Sequence, residues 1–131
     1  MRTIIAVLLA LVCGLAQAQS QMQPFTPSGN TATFTANTSG NLPTPVQATG
    51  CPTGSNCQYL ITNIGVNGAC IGYGTSANAT ANAVIPTSTP TFCTWVLPGT
   101  QIIITTGYGS YFTGITASGT SVFYVQPGIG Q

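Results

Sequence analysis

Residues 92–125 read FCTWVLPGTQIIITTGYGSYFTGITASGTSVFYV and carry the clearest structural pattern in the chain. Runs rich in Ile, Val, Thr and aromatic residues recur about every ten residues with Gly-containing turns between them, as in antiparallel β-sheets. Pro98-Gly99 suits the central pair of a type II turn. The pattern predicts a four-strand meander, with a mobile Gly-rich tail after it at residues 127–131. The four strands are expected at residues 92–97, 101–106, 111–117 and 120–125.

The first half of the chain extends this β-rich pattern. Residues 31–36 alternate Thr with Ala or Phe, which predicts a half-buried strand. Residues 74–83 contain several Ala, but their Thr, Ser and Asn compete for main-chain hydrogen bonds and no apolar stripe is present, so we expect a loop. With seven to nine strands in all, the sequence predicts an all-β fold, a small antiparallel β-sandwich or jelly roll.

Asn67-Gly68 is the strongest short hairpin signal in the sequence. It lies between two apolar runs, residues 58–66 and 69–73, and Asn-Gly favours the two-residue turn that joins paired strands. The sequence therefore predicts that these two runs pair with each other in one sheet.

Charge is almost absent from the chain. Its 131 residues include one Lys or Arg, which is Arg2, and no Asp, Glu or His. General acid–base catalysis, activated nucleophiles and metal sites need such side chains, and binding to nucleic acid needs Lys and Arg. The composition therefore predicts a protein with no catalytic residues, no metal, no cofactor and no nucleic-acid partner.

The N-terminus has the three parts of an export signal. Arg2 is followed by an apolar stretch at residues 4–15 and by the small-x-small pattern Ala16-Gln17-Ala18. A membrane span needs about 20 apolar residues, and this run is shorter. We expect residues 1–18 to be a signal peptide, residues 19–30 a flexible segment and residues 31–131 a single β-sandwich domain. The mature chain would be periplasmic or extracellular, with no membrane span.

Four cysteines remain after removal of the signal peptide: Cys51, Cys57, Cys70 and Cys93. An even set in an exported chain indicates disulfides, and four cysteines allow three pairings. We favour Cys51 with Cys57, closing the short loop between them, and Cys70 with Cys93, joining two strand regions. The alternative is that some of the four are free buried thiols.

Aromatic side chains are the candidates for a binding face, because they offer large contact area at low entropic cost. Tyr59, Tyr124 and Trp95 lie inside predicted strands, where core packing is the favoured interpretation. Tyr108 and Tyr111 flank a predicted turn, where a binding face and core packing with the hydroxyls at the rim are equally favoured, so these two residues form the possible binding face. A glycan is one partner that such a face would suit.

The lack of charge also bears on association. A soluble domain is usually about a quarter charged, and net charge near zero promotes association. Strand edges without Lys or Glu lack the usual protection against pairing with other edges. The sequence therefore favours self-association or docking onto a particle shell or a glycan matrix. The alternative is a monomer kept in solution by its Thr, Ser, Asn and Gln side chains.

Several segments resemble small structural proteins of tailed bacteriophages, of the accessory virion type. The resemblance covers about residues 22–130. The segments are Ile71–Ser76, residues 83–86 and 97–100, the run YFTGITASGT at residues 111–120, and residues 124–128. It implies a structural role in a virus particle and brings no catalytic residues with it. If translation starts at Met22, the chain has no export signal and the expected location is the virion.

Two functional hypotheses follow from these observations. The first is a non-enzymatic accessory virion protein, of the decoration or fibre-associated kind, that self-associates or docks on a capsid or tail surface. The second is an exported bacterial surface or matrix protein that binds glycan or forms fibres. Neighbouring capsid or tail genes favour the first, and secretion or surface genes favour the second.

Overall fold

The computed structural model describes residues 25–38, 42–53, 57–86 and 92–130. The predicted signal peptide lies outside these ranges. Within them the chain forms nine β-strands and one short α-helix. In chain order they are β1 (Thr26–Pro27), β2 (Ala32–Ala36), β3 (Val46–Gln47), β4 (Cys57–Asn63), β5 (Ala69–Gly74), α1 (Ser76–Asn82), β6 (Thr94–Val96), β7 (Gln101–Thr106), β8 (Tyr111–Thr116) and β9 (Ser121–Ile129).

The strands form two antiparallel sheets with a shared core between them. In the first sheet the order is β2-β9-β4-β7, and β1 pairs with the far end of β9. In the second sheet the order is β3-β8-β5-β6. Most strands that follow one another along the chain lie in opposite sheets, which is the jelly-roll arrangement of two Greek keys. The predicted all-β sandwich or jelly roll is confirmed.

The C-terminal strands do not form the predicted meander. β7, β8 and β9 begin at positions 101, 111 and 121, each two residues after a glycine with positive φ: Gly99, Gly109 and Gly119. The turns therefore lie where they were predicted, but each one carries the chain to the opposite sheet. Turn residues determine where a chain reverses, whereas the pairing partner is determined by distant strands, here β4 and β5.

The predicted Asn67-Gly68 hairpin is also wrong. β4 pairs with β7 and β9, whereas β5 pairs with β6 and β8, so the two strands lie in different sheets. Neither Asn67 nor Gly68 has the positive φ that a type I′ turn needs at both central positions. Instead, Asn67 Nδ2 donates to Thr120 O at 2.8 Å, which ties this connection to the turn before β9.

The core follows the two-residue alternation of the strands. In β2, Phe34 and Ala36 are buried while the Thr residues between them face outward, as predicted. The rings of Phe34 and Phe123 stack 5.2 Å apart. Across the two sheets, the rings of Tyr59 and Phe112 lie 4.8 Å apart. These aromatic pairs join strands that are remote in sequence into one core.

A helix, α1, occupies the segment predicted to be a loop. Thr75 caps it, because Thr75 Oγ1 accepts a hydrogen bond from Asn78 N at 3.2 Å. Ala79 is fully buried against the outer face of the second sheet. A Cβ placed on Gly72 would lie 2.1 Å from Ala79 O, so the missing side chain is what allows the helix to pack this closely. The loop prediction is wrong because small residues are sufficient for this contact.

Both ends of the described chain join the first sheet. In β1, Thr26 lies opposite Ile129, and Ser28 N donates to Pro127 O at 3.0 Å. Residues 127–129 of the tail predicted to be mobile therefore form the end of β9, held between β1 and β4, and Gln131 lies outside the described ranges. Part of the segment expected to be flexible, residues 19–30, supplies β1, and its first six residues lie outside the described ranges.

Two disulfides have the predicted pairing. Cys51 and Cys57 are joined with their Cα atoms 5.9 Å apart, and Cys70 and Cys93 with theirs 5.3 Å apart. The first closes the short loop before β4. The second joins Cys93, just before β6, to Cys70 in β5, within a small apolar cluster on the outer face of the second sheet. Two disulfides fit an oxidising compartment.

Candidate functional site

Asn63 is a fully buried polar side chain that organises one end of the sandwich. Its Nδ2 donates to Asn67 O at 2.8 Å and to Val96 O at 3.2 Å. Its Oδ1 accepts from Gly65 N at 3.0 Å and from Ser121 Oγ at 2.8 Å. Two donated and two accepted bonds use the full capacity of a side-chain amide. One residue thus links β4 to the β4–β5 connection, to β6 and to the start of β9.

The main chain around Asn63 strengthens this arrangement. Asn63 N donates to Thr100 O at 3.0 Å, and Gly99 N donates to Asn63 O at 3.0 Å. A Cβ on Gly65 would lie 2.1 Å from Ser121 Oγ, so the β4–β5 connection passes directly against β9. We call the three connections that meet here, residues 64–68, 97–100 and 117–120, the Asn63 end of the sandwich.

The Asn63 end and the neighbouring strand β6 carry exposed apolar side chains. They are Ile64, Val66, Trp95 and Leu97, with exposed fractions of 49%, 85%, 42% and 57%. Trp95 borders the end from β6, since a Cβ on Gly68 would lie 3.0 Å from its Nε1. Hydrogen bonds to Asn63 hold the connections that carry Ile64, Val66 and Leu97, and exposed apolar side chains collected at one end of a domain are candidates for an interaction site.

Two of the aromatic residues assigned to the core by their sequence position lie on the surface instead. Tyr59 is fully buried, which confirms its predicted core position. Trp95 and Tyr124 are each 42% exposed, so their predicted core positions are wrong. Both occupy outward positions of the strand alternation, between buried neighbours such as Val96 and Phe123. A strand position alone does not indicate which face a residue occupies.

Tyr108 and Tyr111, the predicted binding face, lie at the end opposite Asn63. Tyr108 is exposed in the turn between β7 and β8, and Tyr111 is half-buried as the first residue of β8. Gln47 Nε2 donates to Gly109 O at 2.9 Å and holds the turn. Tyr108 is therefore exposed to solvent, whereas Tyr111 is partly covered. The role of these two residues as a binding face stays a prediction.

Tyr59 is a titratable side chain that the fold buries completely. Burial raises its pKa above the ordinary value of 10.0, and the nearby main chain of Ser110 and Gly109 opposes this in part. Its hydroxyl donates to Gly107 O at 3.4 Å, a long hydrogen bond. The folded state therefore favours the neutral phenol.

We expect the free energy of unfolding to be nearly constant between about pH 3 and 7, because no carboxylate or imidazole side chain titrates. Above about pH 10 it should fall, since the unfolded chain ionises Tyr59 at its ordinary pKa while the folded chain resists ionisation. Urea unfolding across this range measures both effects, and Tyr59→Phe should lessen the alkaline decline. An unfolding midpoint that moves appreciably between pH 3 and 7 would contradict this expectation.

An open apolar groove lies beside α1 on the outer face of the second sheet. Its volume is about 370 Å³, within the range of small-molecule sites. It is lined by Leu42, Thr80, Ala83, Val84, Ile85 and Ile115. Thr80 Oγ1 already donates to Ser76 O, so the lining offers little polar chemistry to orient a ligand.

The described part of the chain holds no group of three His, Cys, Asp or Glu that would bind a metal ion. In the same ranges, no helix has the length and apolar character needed to cross a membrane. Comparison with known proteins finds no matching family model, no similar curated protein and no similar solved structure.

Asn63 is not among the functional residues predicted from the sequence. The signal that would have found it is its place in β4, where Cys57, Tyr59 and Ile61 mark the inward positions and Asn63 is the next one. A polar residue at an inward position must find hydrogen-bond partners, and an amide with four bonds makes a structural junction.

Proposed function

We propose that this protein is a non-enzymatic accessory component of a virus particle, a decoration or fibre-associated protein that acts by docking and self-association. The observation that carries the proposal is the Asn63 end, where connections held by hydrogen bonds to Asn63 expose Ile64, Val66 and Leu97, with exposed Trp95 in the neighbouring strand β6. Jelly rolls occur in viral capsid proteins and in lectins, which supports the proposal by analogy of fold alone.

The composition supports a structural role over an enzymatic one. With no Asp, Glu or His and a single charged residue at position 2, the chain lacks the groups that transfer protons near neutral pH. The surface that remains is built from amides, hydroxyls and apolar side chains. Such a surface binds through shape and burial, and it neither attracts nor repels a partner over long distances.

Leu97 is the side chain best placed to test docking at the Asn63 end. It lies in the β6–β7 turn and is 57% exposed. An Asp there would put a charge into the contact at little cost to the fold, because the residue faces solvent. We expect Leu97→Asp to lower the amount of protein that co-sediments with particles of the encoding virus about tenfold or more.

Tyr108→Asp is the matched control for Leu97→Asp. Tyr108 has the same exposed fraction, 57%, and its turn lies at the other end of β7. It should co-sediment like the unmodified protein. If Tyr108→Asp abolished binding and Leu97→Asp did not, the result would show that docking uses the possible binding face at Tyr108 and Tyr111 instead.

The second candidate function is an exported surface or matrix protein that binds glycan or forms fibres. The two disulfides favour it, because they fit an oxidising compartment. The predicted signal peptide at residues 1–18 would deliver the chain there. A virion protein assembled in the cytoplasm would keep its thiols reduced.

Intact mass of the natively produced protein separates the two locations. Export predicts a chain that begins at Gln19 and whose four cysteines do not react with an alkylating reagent until they are reduced. Assembly in the cytoplasm predicts a chain that begins at Met22 and takes up four alkyl groups without reduction. The second result would exclude export and leave the virion location.

A further inference from the structure

β7 forms an open edge of the first sheet. It pairs with β4 on one side, and no other strand of the described ranges pairs with it on the opposite side. Its sequence, QIIITT, contains no Lys, Glu or Pro. Natural sheets normally protect a long edge with such residues, or with a bulge or a cover, because an open edge pairs with other strands.

The hydrogen-bond pattern of β4 shows which β7 residues face this edge. Asn63 exchanges main-chain hydrogen bonds with residues 99 and 100, so its N–H and C=O point toward β7. In an antiparallel pair this direction repeats every second residue. Ile61, Tyr59 and Cys57 therefore bond to their β7 partners, which are Ile102, Ile104 and Thr106.

The alternate residues of β7 consequently present their main-chain groups to the open side. These residues are Gln101, Ile103 and Thr105. Their side chains lie on the outer face of the sheet, all three are exposed, and Ile103 is 49% exposed. In the described part of the chain, no strand pairs with the main-chain groups of these three residues, and the apolar side chain of Ile103 lies at their centre.

We infer that two copies of this chain pair through β7 in antiparallel orientation, with the two-fold axis at Ile103. This register places Ile103 opposite its own copy and Gln101 opposite Thr105 on both sides. Each of these three pairs exchanges two main-chain hydrogen bonds, about six in total. The two first sheets then join into one continuous sheet, an isologous interface that closes at the dimer.

The side chains of β7 and the absence of charge are compatible with a second copy of the chain as the partner. The two Ile103 side chains would lie side by side on the outer face, with their Cα atoms about 5.5 Å apart, and cover each other's apolar surface. Gln101 and Thr105 would form the flanking pairs. The only charged residue is Arg2, so the β7 edges have no like charges to repel each other. This inference deepens the proposed function, since it names the surface and the partner used for self-association.

Ile103→Lys tests the interface directly. It places two like charges opposite each other across the axis and removes the apolar pair, while each Lys faces solvent in the monomer. We expect the dimer dissociation constant to rise by about 100-fold or more in sedimentation equilibrium. The matched control is Tyr124→Lys, which adds the same charge at a 42% exposed position on the same face, on the internal strand β9.

Amide hydrogen exchange supplies a second readout that other dimers would not reproduce. Dimerisation should protect the amides of Gln101, Ile103 and Thr105 in a concentration-dependent way, whereas those of Ile102 and Ile104 are protected at every concentration. A protein that stays monomeric at about 1 mM would overturn the inference. So would a dimer that resists Ile103→Lys or that Tyr124→Lys weakens equally. In each of these cases, docking of the monomer on particles remains a separate result, measured by co-sedimentation.

Discussion

Replacement of Asn63 by Leu is expected to lower the free energy of unfolding by about 3 to 5 kcal/mol, among the largest effects available to one substitution. The change leaves Gly65 N, Ser121 Oγ, Asn67 O and Val96 O without their present partner. A buried group that loses its partner costs about 1 to 3 kcal/mol. The added apolar contact of Leu offsets only part of this loss.

Urea unfolding at neutral pH measures the effect, and Asn78→Leu is the control. Asn78 is an exposed Asn on α1, so the same substitution there should change stability by about 0.5 kcal/mol or less. An Asn63→Leu variant that loses less than about 1 kcal/mol would show that the amide is not the junction described above.

Asn63→Asp should make the stability of the fold depend on pH in a range where that of the unmodified protein is nearly constant. The new carboxylate would face the carbonyl oxygens of Asn67 and Val96 in a buried position, which raises its pKa in the folded state. Stability should therefore be highest at about pH 3 and fall as the pH rises through 4, where the unfolded chain ionises. Unfolding midpoints at pH 3 and pH 7 measure this, and equal midpoints would contradict it.

Removal of the Cys70–Cys93 disulfide has the second large expected effect. The two cysteines are 23 residues apart, and in the chain-entropy model a bridge of this span stabilises the fold by roughly 3 kcal/mol. Compared with the oxidised protein, the Cys70→Ala and Cys93→Ala double variant should lose about this much free energy of unfolding in urea. It should keep the jelly roll, because β5 retains its pairing with β6 and β8.

The other disulfide provides the matched comparison. Cys51 and Cys57 are 6 residues apart, so the corresponding double Ala variant should lose less, roughly 2 kcal/mol. If the Cys51–Cys57 variant is the less stable of the two, chain entropy is not the main contribution of these bridges. Native packing around Cys51 or Cys57 would then contribute more to stability than the shortened loop.

The positions of the strands were predictable from sequence because they depend on local properties. β-Branched and aromatic runs mark β7 and β8, and glycines with positive φ end the turns before them. The disulfide pairing also followed from spacing and strand position. For the strands, the turns and the Cys51–Cys57 bridge the physical cause lies within a few residues of the feature, whereas the Cys70–Cys93 bridge joins cysteines 23 residues apart.

The pairing partners were not predictable in the same way. The turn at Pro98-Gly99 fits a hairpin and a crossing between sheets equally well, and only the pairing of β7 with β4 decides between them. Likewise the position of α1 depends on Gly72 in β5, because the missing side chain there leaves room for the helix backbone. These features depend on contacts between distant parts of the chain.

The exposed apolar residues at the Asn63 end were not predictable from sequence for the same reason. Ile64, Val66 and Leu97 belong to connections that the sequence does not bring together, so an apolar surface was not foreseen there. The tyrosines at the other end were conspicuous because aromatic residues stand out in composition. Exposure is a property of the fold, and it reaches 85% at Val66, where the adjacent Asn67-Gly68 motif predicted a paired strand instead.

Quantitative mass spectrometry of density-gradient particles from cells that carry the gene tests the proposed function most directly. The account predicts that the protein bands with the major capsid protein in many copies per particle, and that Leu97→Asp reduces its amount in that band while Tyr108→Asp does not. Protein found in the periplasm or the medium, with none in the particle band, would contradict the account and establish the exported surface protein as the better explanation.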